Sequence, residues 1–115
     1  MVEAARERAA ARDSTLDAFN RTTRALIDRL ERRDYDGIVI NPGALTHYSY
    51  ALHDALVAAE TPAIEVHISD IHAREPWRRV SVTRPAVTDT IIGQGWQGYL
   101  LAVDRLIDIV EGTST

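Results

Sequence analysis

Apolar residues recur at two different periods along this chain. Leu16, Phe19, Leu26 and Leu30, with Thr23 among them, are spaced three, four, three and four apart, which sets them on one helical face. That spacing predicts one amphipathic helix over 14–33, capped by Asp13 or Ser14. Upstream, 2–12 is built mainly from Ala, Arg and Glu and predicts another helix. The pattern then changes. Gly37-Ile38-Val39-Ile40-Asn41, Ala63 to Ile68 and Val87 to Ile92 are short runs rich in β-branched residues, as in strands buried on both faces of a parallel sheet. Between them, Ala51, Leu52, Ala55, Leu56 and Ala59 give helical spacing to Tyr48 through Glu60. Ser69 and Asp70 can start a short helical turn that runs to about Arg79, and Gly95 to Val110 reads as a final helix. Strands alternating with helices predict an α/β fold with right-handed crossovers and a parallel sheet. Ligands of such sheets bind beyond the carboxyl ends of the strands, where Asn41, His67 and Ser69 fall.

Composition narrows the class. The 115 residues suit a single domain, with 45% hydrophobic and 26% charged positions. A chain of this size buries roughly two thirds of its unfolded surface, enough for a thin core. A net charge of −4 argues against a dedicated nucleic-acid binder. The absence of cysteine removes disulfide scaffolds, thiol nucleophiles and cysteine-ligated zinc, and fits a reducing cytoplasm. No run approaches the roughly 18–20 apolar residues of a membrane span, and the N-terminal residues lack the apolar core of a secretory signal.

Three polar constellations carry candidate chemistry. In Asn41-Pro42-Gly43-Ala44-Leu45-Thr46-His47, the bland reading is a strand-to-helix loop in which Asn41 satisfies backbone groups and Thr46 or Ser49 caps the helix. The functional reading has Asn41, His47 and backbone N–H groups holding a polar or anionic ligand. In Ala63–Ile68, period two puts Glu65 and His67 on one face, with Val66 and Ile68 on the other. A carboxylate and an imidazole inside a buried strand are costly unless paired. Paired, the carboxylate orients the ring and raises its proton affinity, which suits a general acid. Arg74 and Arg78, four apart, would share a face of a helical turn and could clamp a carboxylate or phosphate, or join a structural salt-bridge network.

Other motifs weigh less. His47, His67, His72 and Asp70 lack any dedicated metal-ligand spacing, so no metal is expected. Gly93-Gln94-Gly95-Trp96-Gln97-Gly98 matches a dinucleotide fingerprint, but no further strand with an acidic residue about twenty positions on follows it. The glycines read better as a tight strand-to-helix turn with close helix–sheet packing. Trp77 and Trp96 read as packing residues, Trp77 alternatively as an interface anchor.

These residues carry a family resemblance. Asp34 through Ala44, Thr46-His47, Ala51-Leu52 and Asp54-Ala55 resemble the type II 3-dehydroquinate dehydratases. So do Ile64-Glu65-Val66-His67-Ile68-Ser69, Ile71-His72-Ala73-Arg74-Glu75, Arg78, and Gln97 through Ala102. The resemblance implies a flavodoxin-like, three-layer fold with a parallel sheet and assembly into trimers and dodecamers. It also implies dehydration of 3-dehydroquinate to 3-dehydroshikimate without a cofactor, by a tyrosinate that removes a proton beside the ketone and a histidine that protonates the departing hydroxyl. On that pattern His67 is the general acid, Glu65 its orienting partner, and Asn41 stabilises the enolate through a bound water. His47, Ile68, Ser69 and Arg78 contact substrate, and Asp54 acts across a subunit interface.

The family pattern opens with a strand ending in Asn-Gly-Pro-Asn, then a lid bearing an arginine and the catalytic tyrosine. This chain begins within what would be the first helix, so the resemblance implies a single truncated domain over 1–115 with three or four strands. It also implies impaired turnover. Tyr48 and Tyr50 are candidate replacement bases, although two residues two apart at a helix start cannot both face one crevice. The family usually has Tyr at Leu45, Thr at Tyr48, Arg at His53 and Asn at Asp70. It also has a strand at 15–20, whereas the local spacing favours helix, and both readings stay open. Two functions compete: a dehydroquinase-like lyase of the shikimate pathway, or an inactive or repurposed homologue that binds a small carboxylate or serves as an oligomeric interaction protein.

Overall fold

The computed structural model describes residues 2–11 and 23–112. Helix α1 spans Val2–Ala10 and α2 Thr23–Glu31. Strand β1 is Ile38–Ile40, α3 Tyr50–Ala59, β2 Ala63–His67, β3 Asp89–Ile92 and α4 Gln97–Glu111. Short 3-10 turns occupy Gly43–His47, Ile71–Ala73, Pro76–Arg79 and Arg84–Ala86. The choice between helix and strand at 15–20 lies outside the described residues, and the helix expected over 14–33 is described only as α2.

The three described strands are parallel and lie in the order β1-β2-β3. Ile40 stands beside Glu65, and His67 beside Ile92. The two-residue period of the strands sorts their side chains into two layers. Ile38, Ile40 and Ala63 pack with Leu26 and Leu30 of α2 and Leu52 and Leu56 of α3. Ile64 and Val66 face the other way, onto Ala102 and Leu106 of α4, and α1 covers Val103 and Ile107 with Ala5 and Ala9. Helices therefore cover both sides of the sheet, the α/β layering that alternation of the elements predicts and the three-layer flavodoxin-like arrangement that the resemblance implies. Burying a residue such as Leu52, Ile64 or Val66 contributes about 1.5–3 kcal/mol each, and all three are fully enclosed.

Two expectations need correction. Residues 69–79 do not form one helical turn. The backbone breaks at Arg74 and Glu75 between two 3-10 segments. Pro76 has no N–H to continue a helix and drives Glu75 into an extended conformation, with ψ at 147°. Arg74 and Arg78 therefore share no helical face. Strand β2 also stops one residue early: Ile68 lies beyond it and is 39% exposed, so it is not part of a buried strand.

The glycine run supplies the tight turn. Gly93 and Gly95 have φ of 75° and 60°, a region that favours glycine. Their N–H groups donate to the carbonyls of His67 and Ile68, each at 3.0 Å, and so fix the carboxyl end of β2. A Cβ on Gly98 would stand 3.3 Å from Val66 Cγ1, which accounts for the close seat of α4 on the sheet.

Candidate active site

Among the described residues, five polar or charged ones are buried: Thr46, Ser49, Glu65, His67 and Thr83. Ser49 caps α3, accepting from Leu52 N at 3.1 Å. The other four form one network. His67 Nε2 lies 2.7 Å from Glu65 Oε2, and Thr83 Oγ1 donates to Glu65 Oε1 at 2.5 Å. Thr46 Oγ1 stands 3.5 Å from the same His67 nitrogen, at the outer limit of a hydrogen bond. Glu65 and His67 share the α2/α3 side of β2 by strand parity, as the sequence pattern predicts, and are only 1% and 4% exposed.

The network fixes which ring nitrogen is available. Glu65 occupies the Nε2 side, so that nitrogen carries the proton of the pair. Nδ1 makes no hydrogen bond among the described residues. Among those residues no buried side-chain nitrogen or oxygen lacks a partner. Nδ1 is therefore on the side of the ring that solvent reaches. The buried carboxylate sets the tautomer, and the nitrogen left outward can exchange a proton with a ligand.

Asn41 stands at the carboxyl end of β1. Its Oδ1 accepts from Gly43 N at 3.0 Å, the loop role of the bland reading, and its Nδ2 donates to the Tyr99 hydroxyl at 2.7 Å. Tyr99 thus ties α4 to this corner of the sheet, a tie the sequence reading did not foresee. Thr46 and Thr83 were also missed. Thr46 turns inward to His67 and does not cap α3. Its neighbour His47 turns outward: its Nδ1 lies 2.6 Å from the Val80 carbonyl and its ring meets Trp77 edge-on at 5.2 Å. Trp77 and Trp96 are both about half-exposed, so neither is a core packing residue.

Arg78 lies over the Trp77 ring, 4.2 Å from its centre, and donates from Nε to Glu75 Oε2 at 2.5 Å. The Glu75 carboxyl is held below its ordinary value of 4.5, first by its own backbone N–H and then by the Arg78 guanidinium. The 3-10 turn Gly43–His47 thus joins the two groups of candidate residues, Thr46 touching the Glu65–His67 pair and His47 touching the Trp77–Arg78 pair. Ile68 and Ser69 are exposed just past β2. Asp54 is exposed on α3, bonded to none of these residues, and Tyr48 and Tyr50 are largely exposed at the start of that helix. Among the described residues no three His, Asp or Glu side chains gather in a metal-binding group, and no helix is long and apolar enough to cross a membrane.

Fold and network together define an α/β protein of the flavodoxin-like class, with a carboxylate-oriented histidine at the carboxyl end of its central strand. The family described as Dehydroquinase class II matches residues 1–107. The 3-dehydroquinate dehydratase of Anoxybacillus flavithermus is 58% identical over 90 residues, 76% of this chain and 61% of that protein. That of Thermotoga neapolitana is 57% identical over 89 residues, covering 77% and 61%. The crystal structure of type II dehydroquinase from Butyrivibrio crossotus superposes with a TM-score of 0.88 at 40% identity, over 92% of this chain and 77% of that one. The chain belongs to the class II dehydroquinase family. It spans about three fifths of the length of the curated relatives it matches.

Proposed function

We propose that this chain carries the acid half of a site that dehydrates 3-dehydroquinate to 3-dehydroshikimate, with His67 as general acid. The observation that supports this most is the buried 2.7 Å contact between His67 Nε2 and Glu65 Oε2, which leaves Nδ1 outward at the end of β2. In this reading a protonated Nδ1 delivers its proton to the departing hydroxyl as the C–O bond breaks. Water leaves, and the ring remains neutral with Nε2–H still on Glu65. Asn41, at the end of the adjacent strand, serves the enolate oxygen through a water. His47, Ile68, Ser69 and Arg78 hold the substrate, with the guanidinium near its hydroxyls. The base that takes the proton beside the ketone is a separate group. We place the chain in the cytoplasm as one domain of a homo-oligomer, trimer or dodecamer, in which Asp54 reaches a neighbouring subunit's site. No cofactor enters this scheme.

The test follows the enone absorbance of 3-dehydroshikimate in the ultraviolet, comparing the chain with His67→Ala. Loss of a general acid costs about 10² to 10⁴ in rate, so the variant should lose nearly all turnover. Equal rates for both proteins and buffer would refute the lyase reading. Titration of the inactive chain with a small cyclic carboxylate would then decide whether a binding role remains.

A further inference from the structure

We propose that Thr83 is a positioning residue for His67, acting through Glu65, and that the strap Val80–Thr83 presents it. This deepens the acid role proposed for His67 and rests on it for its kinetic consequence only. Thr83 is fully buried, and its hydroxyl donates to Glu65 Oε1 at 2.5 Å while Oε2 faces the imidazole. A carboxylate bonded at both oxygens has a fixed plane. With one oxygen released it can turn about its last bond, and the ring it holds turns with it. A buried carboxylate that orients an imidazole is itself only as well placed as its other partner allows.

The strap is tethered independently of Glu65. The His47 Nδ1 lies 2.6 Å from the Val80 carbonyl, Val82 N donates to the Thr46 carbonyl at 2.8 Å, and the His53 Nδ1 lies 2.7 Å from the Val82 carbonyl. Both imidazoles meet carbonyls, which only accept, so each Nδ1 carries a proton. These three ties run to the Gly43–His47 turn and to α3, not to the sheet. They hold the segment from which the Thr83 hydroxyl reaches Glu65 without being part of a strand. Ser81 Oγ, 3.5 Å from Thr83 Oγ1, accepts from Arg84 N at 3.0 Å and closes the strap at its far end.

The experiment compares Thr83→Val, which keeps the shape and removes the hydroxyl, with Thr83→Ser, which restores it. The readout is the ring nitrogen spectrum of His67 by long-range ¹H–¹⁵N correlation in the full chain. Recorded on the neutral ring, the state left after proton delivery, the wild-type chain and Thr83→Ser should show the Nε2–H form of His67, and Thr83→Val should show a mixture of tautomers. In the dehydration assay Thr83→Val should lower kcat about tenfold, one buried hydrogen bond, with KM little changed. A Thr83→Val spectrum that overlays the wild type, or a Thr83→Ser spectrum as altered as that of the valine variant, overturns the proposal. His53→Phe, which unties Val82 and keeps the Thr83 side chain unaltered while loosening the strap that presents it, should move the same His67 signals, and serves if Thr83→Val does not fold. Unmoved signals there overturn the role of the strap. Tautomer changes without turnover in any variant would refute the lyase reading and leave the positioning role intact.

Discussion

Glu65 can lie at the centre of a sheet because each of its oxygens has a partner, Thr83 on one side and His67 on the other. Removing either partner leaves a buried acceptor without a donor, a loss of about 1–3 kcal/mol or more for a charged group. Glu75 shows the opposite regime. It is exposed, yet its own backbone N–H and then Arg78 hold its carboxyl below 4.5. A carboxyl depressed in the folded state contributes stability above its unfolded value, and the contribution is lost as pH falls through the folded value. The Glu75–Arg78 contact should therefore persist at neutral pH and open in acid below about pH 4.5. Trp77 lies under that guanidinium, so its fluorescence should change over the same acid range. Glu75→Gln should abolish that component, and an identical acid titration in the variant would refute the assignment.

At the scale of elements, close approach decides which positions tolerate change. A Cβ on Gly37 would meet Leu106 Cγ and Cδ2 at 2.8 Å, where α4 crosses the start of β1. Overpacking of this kind costs about 1–3 kcal/mol. Gly37→Ala should lower the midpoint of urea unfolding with little change in slope, and a midpoint equal to wild type would show that Leu106 moves aside freely. The elements legible in the sequence were those whose period is set by burial. The β-branched runs became β1, β2 and β3, and the Ala51–Ala59 stripe became α3. The Glu65–His67 pair was legible for the same reason, since two residues apart on a strand means one face. Thr46 and Thr83 were not, because their partners are brought in by crossovers and no local period marks them. The 3-10 segments also escaped, being too short for a hydrophobic repeat, and Pro76 broke the turn that had been expected to align Arg74 with Arg78.

At the scale of the molecule, α1 and α4 form the layer on the face of the sheet opposite the histidine. Their contact is made by small residues, Ala5 and Ala9 against Val103 and Ile107, with an Arg8–Asp104 ion pair at its edge. The buried polar network draws only on residues between 46 and 83. Each link in it closes a short loop, and short loops lose little entropy on closing. Structures dominated by nearby contacts assemble early in folding. Amides of β2 should thus resist pulse-labelling by deuterium before those of α1, and simultaneous protection would refute this order. The chemistry-bearing part of the chain would then be a kinetic nucleus, assembled first and clad afterwards. Sequence drift in the outer helix would alter how long the native state lasts more than how the dyad is built.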